Sequence, residues 1–141
     1  MNRLKDGIIT AYTNREAVPV LVLGLCEHRA GQLWAGADFD GGLFRFRNEI
    51  PHHYNSTDGL PKTAIRVIYE DRQTNLWVGT RSGLYLAKGE RFYPDGAENG
   101  LAGSDVRVIY ADRDGNLWVG TGDGLTRLRD GKATRFTTQN G

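Results

Sequence analysis

Leu76-Trp77-Val78-Gly79-Thr80 returns as Leu117-Trp118-Val119-Gly120-Thr121, and a looser copy, Leu33-Trp34-Ala35-Gly36-Ala37, precedes both. The tryptophans of the chain stand at 34, 77 and 118, spaced by 43 and 41 residues. A period just above 40 residues marks a solenoid, a propeller or an array. Aligned on Trp, the register extends in both directions. Arg66-Val-Ile-Tyr-Glu-Asp71 matches Arg107-Val-Ile-Tyr-Ala-Asp112, and Leu23-Gly-Leu-Cys-Glu-His28 follows loosely. Gly-Leu recurs at 42–43, 83–84 and 124–125, and Asp58-Gly-Leu-Pro61 matches Asn99-Gly-Leu-Ala102.

Each unit carries four short strand signals. In the second unit they are Ile65–Glu70, Leu76–Thr80, Leu84–Lys88 and Arg91–Tyr93. All are β-branched or aromatic and bounded by turn residues. Asp114-Gly115-Asn116 is a hairpin turn signal. Gly83 and Gly124 stand where a turn needs positive φ. Four antiparallel strands in roughly 41 residues are the unit of a β-propeller blade. The expected fold is all-β: three full four-stranded blades plus the last two strands of a preceding blade, as a partial propeller or a ring-forming oligomer. The divisions fall at 1–13 (last strands of the preceding blade), 14–54 (a degenerate first blade), 55–95, 96–137, and 138–141 (start of a next repeat).

The repeated block explains its own composition. Side chains alternate along a strand, so Leu76, Val78 and Thr80 share one face while Trp77 and Gly79 share the other. A large ring beside a missing side chain suits blade-on-blade packing, because Gly admits the next sheet. Burying one Trp removes ~150–250 Å² from water, roughly 4–6 kcal/mol gross at ~25 cal/mol/Å². Trp34, Trp77 and Trp118, with Gly36, Gly79 and Gly120, are therefore the expected structural core.

The pattern Asp-x-x-Gly-Asn-Leu-Trp-Val-Gly-Thr-x-x-Gly-Leu at 112–125 resembles the two-component regulator propeller repeat. The Gly-His and Trp-Asp signatures of the WD40 propeller are absent. The first unit departs from the pattern: His28 replaces the Asp, Ala37 replaces the Thr, and two extra residues precede Gly42. The resemblance implies a bacterial sensor domain outside the cytoplasmic membrane, ahead of a histidine kinase, a hybrid kinase or a diguanylate cyclase. For some members it implies oligosaccharide sensing. None of that output machinery matches these 141 residues.

Composition narrows the alternatives. With 39% hydrophobic and 25% charged residues, 19 Gly and a net charge of +1, the chain is a turn-rich folded protein without a nucleic-acid footprint. Cys26, the single cysteine, sits in an apolar run and reads as a small hydrophobe. No apolar stretch reaches the ~18 residues of a membrane span, so no membrane insertion is expected. The N-terminus enters repeat sequence directly, without a signal peptide pattern. Shifting the C-terminal segment by 124 positions lays Leu125–Gly131 on Met1–Gly7, and Gly141 aligns with Gly59 and Gly100. Three expectations follow: a piece of a longer propeller, a ring closed by copies of the chain, or an open fan. In an oligomer, Met1–Lys5 and Ile9–Thr13 should be buried.

The candidate ligand-binding residues are Arg66 and Arg107, in matching register on the first strand of successive units. Arg suits carboxylates and sulfates, which points to a small anionic ligand, while an oligosaccharide is the ligand that the resemblance implies. The competing reading is an ion pair between blades, with Glu70 or Asp112 as partner. The loops Asn55–Ala64 and Ala97–Asp105 precede these strands and are the expected recognition loops. Asp112-Arg-Asp114-Gly-Asn116 resembles part of a calcium loop, but its bidentate Glu is missing, and the hairpin reading is preferred. His52 and His53 are strand neighbours pointing to opposite faces, and His28 lies at a turn, so no metal centre is expected. No cofactor motif or nucleophile elbow is present. The expected function is ligand sensing without catalysis, with a structural or protein-interaction module as the alternative.

Overall fold

A computed structural model describes residues 2–5, 8–11, 21–38, 42–48, 50–95, 100–101 and 103–137, with side chains from residue 21 onward. It has the expected all-β propeller architecture. Blade 1 comprises β3 (Val22–His28), β4 (Gln32–Ala37), β5 (Leu43–Arg47) and β6 (Ile50–Tyr54). Blade 2 comprises β7 (Ile65–Glu70), β8 (Leu76–Thr80), β9 (Gly83–Lys88) and β10 (Arg91–Pro94). Blade 3 comprises β11 (Val106–Ala111), β12 (Leu117–Thr121), β13 (Leu125–Arg129) and β14 (Lys132–Phe136). Each is a separate antiparallel sheet whose strands follow sequence order. The third and fourth strands of blade 2 each run one residue longer than the sequence suggests.

Two N-terminal strands, β1 (Asn2–Lys5) and β2 (Ile8–Ala11), form their own pair. Their register is that of β13–β14 displaced along the chain. Asn2 faces Ala11 as Thr126 faces Arg135, and Lys5 faces Ile8 as Arg129 faces Lys132.

The first strands β3, β7 and β11 lie against one another across the blade boundaries, as innermost strands of a fan must. Each blade has a trailing face, toward the next blade in sequence, and a leading face toward the previous one. Trp34, Leu43 and Tyr54 of blade 1 pack against Leu60, Ile65, Ile68, Val78 and Phe92 of blade 2 in one buried cluster. Trp77 and Leu84 of blade 2 pack against Val106, Ile109 and Val119 of blade 3 in a second. The Gly beside each Trp is the contact point. A Cβ on Gly36 would lie 2.6 Å from Ile65 Cγ2 and 2.9 Å from its carbonyl oxygen, and one on Gly79 would lie 2.5 Å from Val106 Cγ1.

Trp118 departs from the expected core role. It is half-buried, and Val108, Tyr110, Leu125 and Phe136 around it are 52%, 59%, 38% and 43% exposed. The reason is positional: no blade covers the trailing face of blade 3 among the described residues.

The turns explain the polar half of the repeat. Asp71 accepts hydrogen bonds from the backbone N–H of Gln73 and Asn75, the Asn75 amide and Trp77 Nε1. Asp112 does the same with Asp114, Asn116 and Trp118. One carboxylate thus shapes the hairpin and fixes the indole. Thr80 and Thr121 close the following turn, each hydroxyl donating to the carbonyl of Gly83 or Gly124 and accepting an N–H from Ser82 or Asp123. Between neighbouring turns runs an arginine ladder. Arg29 Nη1 donates to the Arg72 carbonyl, and Arg72 Nη1 donates to the Arg113 carbonyl.

Candidate ligand-binding face

One edge of the fan carries the starts of β7 and β11, the β8–β9 and β12–β13 turns, and the loops that enter each blade. Asn55–Asp58 is a tight capped turn there. Asn55 accepts from the Thr57 N–H, and Asp58 accepts from the Asn55 N–H. Leu60 and Ala64 are buried, which anchors the loop to the sheet. Of the second expected recognition loop, residues 97–99 and 102 lie outside the described residues.

Arg66 and Arg107 both stand on β-bulges. Ile65 pairs with Thr80 and Val67 with the adjacent Gly79, so Arg66 is the extra residue. Val106 and Val108 pair with Thr121 and Gly120, leaving Arg107 in the same position. Blade 1 repeats the bulge at Leu23 without a charge. A bulge breaks the in–out alternation and re-aims the side chain it carries. It also puts Ile65 and Ile68, three residues apart, in the same buried cluster.

The bulges bring the two arginines to one carboxylate. Arg66 Nε lies 3.0 Å from Asp105 Oδ1, across the boundary between blades 2 and 3. Arg107 Nε and Nη2 each lie 3.0 Å from Asp105 Oδ2. The ion-pair reading therefore holds for Arg66, but with Asp105 as partner. Glu70 pairs instead with Arg29 and His28, and Asp112 is committed to its turn. Asp105 was missed because its counterpart in the second unit is Ala64. An acid breaking the repeat two residues before a repeated Arg was the available signal. Two cations around one anion leave a formal excess of +1, and the Arg107 side chain is 61% exposed.

Beside this cluster a cleft of about 230 Å³ opens between blades 2 and 3, lined by Ser82, Tyr85, Pro94, Leu101 and Ser104 among others. That is smaller than the ~300–1,000 Å³ of typical small-molecule sites, so it suits one ring-sized unit. Burial raises the pKa of the Tyr85 phenol and keeps it neutral. Two hydroxyls and a phenol beside apolar carbons can take a hydroxyl-rich ring.

The other candidates hold nothing extra. His53 stacks on Phe44 with centroids 4.5 Å apart, and His52 meets the Tyr54 ring edge-on. Among the described residues no three His, Cys, Asp or Glu side chains gather as a metal set. Both Asp112 oxygens accept N–H donors from Asn116 and Trp118, as the hairpin reading expects. Cys26 packs against the blade 1–blade 2 core, and burial pushes its thiol pKa up. No helix among the described residues is long and apolar enough to cross a membrane.

Two segments, 59–82 and 100–123, match the model of the two-component regulator propeller family, so the chain carries repeats of that family. No curated protein matches the chain. Among solved structures it is similar to the extracellular domain of a hybrid two-component system from B. thetaiotaomicron, with a TM-score of 0.77 and 19% identity. It covers 94% of this chain and 19% of that one. The extracellular domain of a one-component system from the same organism gives a TM-score of 0.69 at 23% identity, covering 82% of this chain and 18% of that one. The chain thus spans about a fifth of the length of those domains. It is also similar to a catalytically inactive virginiamycin B lyase from Staphylococcus aureus with quinupristin, with a TM-score of 0.73 at 20% identity. That match covers 99% of this chain and 49% of the lyase.

Proposed function

We propose that this chain is a ligand-binding segment of a bacterial extracytoplasmic sensor propeller, without catalysis of its own, whose signal is emitted by a domain outside these residues. The repeat family and the fold support the sensor class. A lyase shares the fold, so architecture alone does not decide against catalysis. The observation that carries the binding site is the convergence of Arg66 and Arg107, each re-aimed by a bulge, on Asp105 beside the cleft. A carboxylate or sulfate approaching Arg107 would compete for donors that Asp105 now shares. A sugar ring in the cleft would present such a group to the cluster. The preferred ligand is therefore an anionic oligosaccharide unit.

The test is thermal unfolding with a sulfated disaccharide, a uronic acid disaccharide and their neutral parents. A ligand at a hundredfold over its Kd stabilises the folded state by about 2.7 kcal/mol. The anionic sugars should raise the Tm, and Arg107→Ala should remove the rise. Equal shifts from neutral and anionic sugars, or a shift that survives in the Arg66→Ala/Arg107→Ala variant, would sink the assignment.

The second reading, an interaction module, is favoured by one observation: the exposed apolar trailing face of blade 3.

A further inference from the structure

We infer that Asp105 is a carboxylate switch: it holds Arg107 until an anion takes that arginine, then turns to Arg66 and tightens the boundary between blades 2 and 3. The inference rests on the reading of Arg66 and Arg107 as an anion site, and it adds how that site responds to being filled.

The residue two places before each bulge has the same backbone role in every blade. Its carbonyl accepts an N–H from the turn after the second strand: Leu21 from Asp38, Ala64 from Arg81 and Asp105 from Gly122. Blade 1 carries Leu21 with Leu23, blade 2 Ala64 with Arg66, and blade 3 Asp105 with Arg107. A carboxylate thus enters this position once, between two repeated arginines. The Gly122 bond, at 3.1 Å, pins the Asp105 main chain. Its carboxylate can therefore change partner by side-chain rotation alone.

That carboxylate does not serve both arginines equally. Arg107 holds Oδ2 with two nitrogens, Nε and Nη2, each at 3.0 Å. Oδ1 faces Arg66 Nε at 3.0 Å, yet both atoms are buried and neither has a hydrogen bond among the described residues. The Arg66 N–H is misdirected rather than too distant. Buried polar atoms in that condition are rare, and a charge-assisted hydrogen bond is there to be formed. Access also differs. The Arg107 side chain is 61% exposed, while Arg66 Nε is closed off from solvent. An incoming sulfate or carboxylate therefore meets Arg107 first and takes its Nε–Nη2 fork, which matches two anion oxygens. Released from Arg107, Asp105 can align with Arg66. Anion binding at the surface thus completes a buried hydrogen bond joining β7 of blade 2 to the segment that enters blade 3.

Proton–nitrogen NMR of the arginine Nε–H groups reads the switch directly, with inorganic sulfate replacing chloride at constant ionic strength. Arg66→Lys and Arg107→Lys assign the two signals. Sulfate should move both with one midpoint and slow exchange of the Arg66 Nε–H with water by about tenfold. In Asp105→Ala the Arg107 signal should titrate at a sulfate concentration about tenfold lower, because no carboxylate competes for its donors. That substitution reproduces Ala64, which the fold already accommodates at the same backbone position. An Arg66 signal that stays still while Arg107 titrates overturns the switch and leaves the anion site standing. An Asp105→Ala midpoint equal to that of the parent chain also overturns it. Sulfate moving neither signal overturns switch and anion site together. If sulfate acts as described and the sulfated disaccharide moves neither signal, the switch holds and the sugar assignment falls.

Discussion

At residue scale, the carboxylate opening each hairpin decides how well the neighbouring Trp is held. A buried indole N–H needs an acceptor, and leaving it without one costs about 1–3 kcal/mol. Asp71 and Asp112 supply that acceptor at 2.9 and 2.7 Å. His28 cannot do so while its Nδ1 accepts from the Ala30 N–H, and Trp34 Nε1 is buried without a partner. His28→Asn should therefore stabilise the chain by about 1–2 kcal/mol in urea unfolding. His28→Asp should gain less, because the nearly buried Glu70 carboxylate lies 3.8 Å from the imidazole it replaces. The reverse order of the two variants would refute the acceptor argument.

Asp112 adds a pH dependence at the same scale. The Trp118 and Asn116 hydrogen bonds hold its pKa down at about 2, below the usual carboxylate value of 3.8. A depressed folded-state pKa stabilises above the unfolded value, and that contribution is lost as pH falls through the folded one. The stability advantage of the parent chain over Asp112→Asn should thus be full above about pH 4 and shrink toward pH 2. Urea midpoints taken across that range check it, and a gap that stays constant would count against it.

At the scale of the element, the second strand of each blade is shaped by what lands on its Gly. An added methyl at a filled contact typically costs about 1–3 kcal/mol through overpacking. Gly36→Ala would press on Ile65, backbone included, and Gly79→Ala on Val67 and Val106 together. Gly120→Ala would meet Val108 alone, whose exposed side chain can turn aside. Equilibrium unfolding should rank the first two variants well below the third, and equal losses at all three positions would contradict the contact assignment. The strands themselves were legible because their pattern recurs: Ile65–Glu70 and Leu76–Thr80 fall where alternation puts them. The bulges at Leu23, Arg66 and Arg107 were not, since an extra residue leaves no mark in a β-branched run. The ladder of Arg29 and Arg72 stood in plain sight at the second position of every first turn. An exposed turn Arg, however, looks the same in sequence whether it reaches a carbonyl or water.

For the whole molecule, burial is a property of neighbours, which a repeat cannot announce. Trp77 and Trp118 occupy matching positions, yet one is 9% exposed and the other half-open. Stacked repeats are stabilised by their own packing plus nearest-neighbour interfaces, so a blade covered on both faces should open last. Blade 2 is in that position: every residue of β8 is buried, while β12 alternates between buried and half-buried. Opening free energies should fall from blade 2 to blade 3, because opening blade 3 breaks one interface where opening blade 2 breaks two. Hydrogen exchange read by mass spectrometry at neutral pH resolves this by peptide. Amides of β8 and β9, each flanked by two hydrogen-bonded strands, should exchange slowest, and those of β13–β14 should exchange much sooner, since β14 has one hydrogen-bonded neighbour and Phe136 is exposed. If β11–β14 proved as protected as β8 and β9, blade 3 would be covered in solution, and its trailing face would already have found its partner.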